Sequence, residues 1–237
     1  MKHKHVLRVL CVAAAASALV WAVTMAIGGR QPGPQQVRAA VGQKAAKVVI
    51  DDAMREVDAS PPTQESNPIR IADSSPALDR VIALGTPALP ELISQIENSS
   101  HSGLREYLLA ICVKRIIKAN VSGPPGTDYY WYTGKGFPAV WKTYLARVPE
   151  TVSSIAKSNA PTEEKNARLV ELGTPAIPFI LDEVERGRGD LSPAAQTLME
   201  GTVEMGGTSP KGPGTAEWAK QNKPRFTELR DLVSAAK

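Results

Sequence analysis

The strongest constraint in this chain is a seven-residue phrase that occurs twice. Residues 84–90 read LGTPALP and residues 172–178 read LGTPAIP, identical at six of seven positions with an offset of 88. The flanks match in type, ALDRVIALG at 77–85 and KNARLVELG at 165–173, and share Arg80 and Arg168. Physically the phrase is a bend between two helices. Leu84 and Leu172 close a short helix. Gly85 and Gly173 follow, where a left-handed backbone costs glycine nothing. Thr86 and Thr174 are placed to cap the next helix through their side-chain oxygens. Pro87 and Pro175 take the first helical position, where the missing N–H is not needed.

Apolar residues recur after each bend at helical spacing: Leu89, Leu92, Ile93 and Ile96, then Ile177, Ile180, Leu181 and Val184. A second helix follows each. The spacing predicts one over 102–119, with Leu104, Leu108, Ile111, Cys112 and Ile116 inward, and one over 192–205, with Ser192 as its cap. The expected fold class is therefore all-α. Composition agrees, since aromatics are 5% and β-branched residues do not alternate, which argues against a sandwich. With 43% apolar and 22% charged residues the chain is globular, which excludes collagen-like, disordered and multi-span membrane classes.

The LG-x-PA-x-P corner, with an arginine one turn before it, resembles the corner of HEAT-like repeats over residues 76–120 and 164–206. The resemblance implies helical hairpins of an α-solenoid, with protein binding as the usual use. The spacing of 88 departs from the ~40 residues of a regular array. The expectation is a short, irregular solenoid over 76–237, interrupted by an insertion. Before it, residues 31–75 read as a helix from Gln35 to Ala59 followed by a Pro/Ser-rich linker. The stripe of that helix, through Val37, Val41, Lys44, Val48 and Met54, is broken and predicts a weak contribution to the core.

Residues 1–30 form a leader. Lys2, Lys4 and Arg8 precede an uncharged run from Val9 to Ile27. As a helix those residues span roughly 28 Å, close to a bilayer's hydrocarbon thickness. The basic flank keeps the N-terminus in the cytoplasm and the bulk of the chain extracytoplasmic. The favoured reading is an uncleaved signal anchor. The alternative is a signal peptide cleaved at Ala16-Ser17-Ala18, which leaves an apolar stub on the exported protein.

The stretch between the copies, 122–144, holds seven of the chain's twelve aromatics. A reduced counterpart at 209–221 holds Trp218. Tyr129, Tyr130, Trp131, Tyr132, Phe137 and Trp141 are candidate partner-binding residues, because Tyr and Trp present large amphipathic area at low entropy cost. The competing role is a plug that completes the core between widely spaced repeats. A stacking surface for a cell-envelope glycan is the alternative to a protein partner.

No catalytic, cofactor or metal constellation is legible. GPPGT at 123–127 lacks the Lys-Ser/Thr of a phosphate loop, as Asp128 and Tyr129 follow. His101 stands alone in a Ser-rich turn, and Cys112 lies on an apolar face. Asp182, Glu183, Glu163 and Glu164 read as solvated acids, and Lys114, Arg115 and Lys118 as a wet basic edge. The net charge of +4 comes from Lys2, Lys4, Arg8 and Arg30; the remaining basic and acidic residues balance, which removes support for a nucleic-acid partner. The expected function is a non-enzymatic, membrane-anchored or exported scaffold that binds another protein.

Overall fold

The computed structural model describes residues 34–59, 67–121, 131–200, 202 and 212–236, with side chains from residue 43 onward. Every regular element among them is helical. No helix among the described residues is long and apolar enough to cross a membrane, and the apolar run from Val9 to Ile27 lies outside them.

The two corners organise two units of the same plan. In the first, a long helix α1 (Pro34–Ala59) leads to a short helix α2 (Pro68–Asp73), then α3 (Pro76–Ile82). A 3-10 turn (Thr86–Ala88) joins α3 to α4 (Leu89–Asn98), and α5 (Leu104–Ile117) returns. Helix α1 lies against α3, the turn and α4. In the second unit a long helix α6 (Phe137–Lys157) precedes α7 (Thr162–Glu171), a 3-10 turn (Thr174–Ala176), α8 (Ile177–Glu185) and α9 (Ser192–Met199). Helix α6 lies against α7, the turn and α8 in the same way. Two further helices, α10 (Ala216–Asn222) and α11 (Thr227–Ser234), pack on α8.

The wide spacing of the corners is thus filled by α6, the long helix of the second unit. Its counterpart α1 was expected to bury little. Ala46, Ile50, Ala53 and Met54 are in fact fully buried, while Val48 of the expected stripe is 55% exposed. The buried face runs through small residues, Ala46 and Ala53, that a search for large apolar side chains overlooks.

The corners have the expected positive φ, 69° at Gly85 and 66° at Gly173. Their ψ values, −157° and −170°, are extended rather than left-handed helical. That combination is essentially restricted to glycine. The threonines do not cap. Each sits inside its 3-10 turn, the glycine before it is the cap residue, and neither turn has a side-chain cap hydrogen bond. Thr174 Oγ1 is buried without a hydrogen-bond partner. Pro90 and Pro178 fall in the first turn of α4 and α8, where no N–H is missed. The apolar faces after the corners are buried as their spacing predicts: Leu89, Leu92 and Ile96, then Ile177, Ile180, Leu181 and Val184.

The second corner seats on the end of the first unit. A Cβ at Gly173 would overlap the Ile117 carbonyl and the Ala119 side chain at the end of α5. Lys118, in a left-handed conformation at that end, reaches across and donates to the carbonyls of Leu198 and Glu200 at the end of α9. Ser192 is not the cap of α9: the backbone N–H of Ala194 donates to Asn166 Oδ1 from α7 (3.0 Å).

Of the four acids read as solvated, Glu163 and Glu164 are exposed as expected, whereas Asp182 and Glu183 are clamps. Glu183 is buried and accepts from Arg186 (2.6 Å) and Arg188 (2.7 Å). Asp182 accepts two bonds from Arg230 of α11 (both 2.9 Å) and pairs with Lys223 (2.7 Å). Arg230 also donates to the Pro178 carbonyl (2.7 Å) and lies over Phe179. Burial pushes the Asp182 carboxyl up, but the bonds from Arg230 and Lys223 outweigh it and hold the group below its ordinary 3.8.

Replacing Gly85 by Ala strains the backbone and is expected to cost about 1–3 kcal/mol. Gly173→Ala adds the overlap with α5, about 1–3 kcal/mol more. Urea denaturation of the two variants checks the order; equal losses would contradict a seated second corner. For Asp182, a depressed folded-state pKa means the unfolded chain binds more protons. The clamp's contribution is present above 3.8 and is lost as the pH falls through the lower folded-state value. Asp182→Asn is therefore expected to cost about 1–3 kcal/mol at neutral pH, with the gap to the wild type closing in strong acid.

Candidate functional site

The aromatic stretch between the corners divides between core and surface. Tyr129 and Tyr130 lie outside the described residues. Trp131 is 6% exposed, Trp141 is 3% exposed and Phe137 is fully buried. They form a continuous row of rings with Tyr107 and Tyr144. The centroids are 4.6 Å apart for Tyr107–Trp131, 5.1 Å for Trp131–Phe137, 6.3 Å for Phe137–Trp141 and 5.7 Å for Trp141–Tyr144. The row ends where the Tyr144 hydroxyl donates to the carbonyl of Leu172, the residue before the second corner. The expectation of a partner-binding surface therefore does not hold for Trp131, Phe137 and Trp141, whose faces are covered by other rings. Tyr132 alone of the described set is on the surface, at 70% exposure.

Tyr132 marks a cleft of about 340 Å³ that three segments enclose. Helix α2 supplies Pro68 and Ile71, the start of α5 supplies Leu104 and Tyr107, and the loop after Trp131 supplies Tyr132, Thr133 and Gly134. Two exposed apolar residues on these segments, one of them lining the cleft, were not anticipated as surface. Leu104 was expected inward at helical spacing from Leu108, and is 44% exposed. It occupies the first position of α5, ahead of the stretch that packs on α4. Ile69 of α2, at 55% exposure, is the second and is not among the residues that line the cleft. Ile69 and Ile71 are two positions apart, about 200° around a helix, so one helix cannot bury both on a single face. That spacing was the signal available.

Each wall is held in place by its own polar device. Asn67 caps α2 by accepting from the Ile69 N–H (3.0 Å). Arg115 of α5 donates to the Ala72 carbonyl (3.1 Å) and pairs with Asp73, which pins the other end of α2. The buried carboxylate of Glu106 accepts from the Ser99 hydroxyl (2.6 Å) and the Gly103 N–H (2.7 Å), fixing the turn into α5. Burial alone would raise the Glu106 pKa, and these bonds bring it below the ordinary carboxylate value. Gly134 is flush with this turn: a Cβ there would overlap the backbone of Glu106 and Tyr107. Lys135, next to it, donates to the Ser99 carbonyl (2.8 Å).

The basic edge on α5 is not simply wet. Arg115 is the pin just described and Lys118 bridges to the end of α9. Lys114 is half-buried with its ammonium 5.9 Å from the Trp131 ring, and burial lowers its pKa. His101 is exposed in its turn, as expected. Cys112 is buried and its thiol is pushed up to about 12, which leaves it a small hydrophobe at neutral pH. Among the described residues no three His, Cys, Asp or Glu side chains gather as metal ligands.

Comparison with family models, with curated proteins and with solved structures finds no match for this chain.

Truncating a ring of the buried row leaves a cavity, whereas truncating Tyr132 does not. Trp131→Ala and Trp141→Ala are each expected to cost about 3–5 kcal/mol, and Tyr132→Ala about 0.5 kcal/mol or less. Chemical denaturation of the three variants distinguishes core from surface; a stable Trp131→Ala protein would contradict the row's structural role.

Proposed function

We propose that this chain is a helical-repeat scaffold, similar in its corners to HEAT-like proteins, that binds a protein partner through the cleft beside Tyr132. One observation carries the reading. Two of the four large apolar side chains exposed among the described residues, Leu104 and Tyr132, line this one recess. Single exposed apolar residues are ordinary, but a cluster around a concavity marks a binding surface. A pocket for an apolar anchor, rimmed by polar backbone and hydroxyl groups such as Thr133, is the form that interface hot spots take.

The reading keeps the expectation from the leader. With Val9–Ile27 as a signal anchor, the scaffold works at the extracytoplasmic face of the membrane. The resemblance to HEAT-like repeats supports protein binding only by analogy of fold, so the reading rests on the cleft rather than on the fold. The walls of the cleft are braced by Arg115, Glu106 and Asn67, which spares a partner the cost of ordering them.

A photo-crosslinking residue placed at Tyr132 in the full chain, expressed in its own cells, is expected to trap an adduct of discrete mass in the membrane fraction. Leu104→Asp, which puts a charge into the recess, is expected to reduce that adduct about tenfold or more. An adduct indifferent to Leu104→Asp, or none at all, would overturn the reading. Recovery of the intact chain from the cytosol would overturn its location.

A further inference from the structure

We infer that the N-terminal half of α1 rests on the headgroups of anionic phospholipid, so that the helix lies along the membrane instead of standing up from it. This rests on Val9–Ile27 being a membrane anchor, and it is independent of the cleft.

The charge of α1 is divided along its length. No acidic residue occurs before Asp51, whereas Arg30, Arg38, Lys44 and Lys47 follow the apolar run. The second half of the helix carries Asp51, Asp52, Glu56 and Asp58. That order opposes the helix macrodipole, which favours acids near the N-terminus and bases near the C-terminus, so it does not stabilise the isolated helix. The acids are all engaged. Asp51 pairs with Lys47 (2.8 Å), Asp52 with Arg55 (2.9 Å), Glu56 with Arg80 of α3 (2.6 Å) and Asp58 with Arg105 of α5 (3.5 Å). The last two fasten the second half of α1 to the first unit. Lys47 is compensated by Asp51 and lies 3.8 Å from Glu91 as well. Lys44 is exposed and has no carboxylate partner among the described residues. With Arg30 and Arg38 it forms a basic excess on the side of the chain that leads to the bilayer.

The same part of α1 presents a face away from the domain. Between Gln43 and Val48 only Ala46 is buried, and Val48 is 55% exposed. Val37, Val41, Lys44 and Val48 fall in one stripe at helical spacing, about 200° around from the buried Ala46 and Ile50. A lysine within an apolar stripe suits an interface, where its stem lies among apolar groups and its ammonium reaches the phosphates.

Connectivity brings this half to the membrane. Only residues 28–33 separate the apolar run from α1, and Gly28, Gly29, Pro32 and Gly33 make up most of them. That composition disfavours a helix running straight through from anchor to domain. A lipid surface fits this face better than a protein does. The stripe is narrow and made of valines, without the aromatic anchors of an interface hot spot, while lipid phosphates match its charge.

The test places a photo-crosslinking residue at Trp21 or at Val48 of the full chain, reconstituted in nanodiscs of phosphatidylcholine with or without phosphatidylglycerol, and identifies adducts by mass spectrometry. An upright α1 would carry Val48 roughly 20 Å from its first residue, out of reach of the headgroups. Lipid adducts are expected at Trp21 in either membrane, and at Val48 chiefly with phosphatidylglycerol. The Val48 adduct should fall about fivefold or more when Arg38→Gln and Lys44→Gln are combined, persist with Arg38→Lys and Lys44→Arg, and weaken at about 1 M salt. Lipid adducts at Trp21 with none at Val48, or a Val48 adduct indifferent to these charges, overturn the surface contact and leave the anchor standing. So does crosslinking of Val48 to a second copy of the chain in place of lipid. No lipid adduct at Trp21 overturns the anchor and the inference with it.

Discussion

The second corner can sit on the first unit only because residue 173 has no side chain. Its backbone lies against the Ile117 carbonyl at the end of α5, and its φ of 66° with extended ψ is open to glycine alone. Steric and conformational demands coincide at this one position. Once it is satisfied, α6, α7 and α8 have a defined place relative to α5. Lys118 then spans the same junction to the carbonyls of Leu198 and Glu200, so the end of one unit's last helix is tied to the other's. Thr174 and Pro175 are buried there, while Thr86 and Pro87 at the first corner are only partly covered. The same phrase thus occupies two environments.

The aromatic row runs through this junction. It starts at Tyr107, which lines the cleft, and ends at Tyr144, which holds the Leu172 carbonyl just before the glycine. Large rings suit the place because offset or edge contacts between rings add to area burial. The rigidity of the cleft follows in part from this row. Its wall at Tyr107 is backed by Trp131, which is backed by Phe137. A surface recess standing on a packed core changes little when filled.

Charges have a related task. Arg115, Asp182, Lys223 and Arg230 tie short helices to their neighbours, and Glu183 holds the turn that follows its own helix. Helices of six to ten residues, such as α2, α3 and α9, have little stability in isolation and need such ties in addition to their apolar faces.

Much of the local structure was legible. The Gly-Thr-Pro phrase marked both corners, the apolar spacing marked the buried faces of α4 and α8, and the helix ending at Ala59 was found to within a residue. These features depend on neighbours in the chain: 3.6-residue periodicity, a glycine that tolerates positive φ, a proline that needs no donor. The candidate site was less legible. Seven aromatics in one stretch left a partner surface and a core plug both open; Trp131, Phe137 and Trp141 take the role of plug, and the exposed apolar residues include Ile69 and Leu104. Likewise Asp182 and Lys118 looked solvated until Arg230 and the end of α9 were brought to them. The sequence by itself determined which segments are helices and where they bend. Only the tertiary structure decided which face of each is covered, because burial is a property of what arrives from 20 to 80 positions away, as Lys118 and Glu200 show at a separation of 82, and no local pattern encodes it.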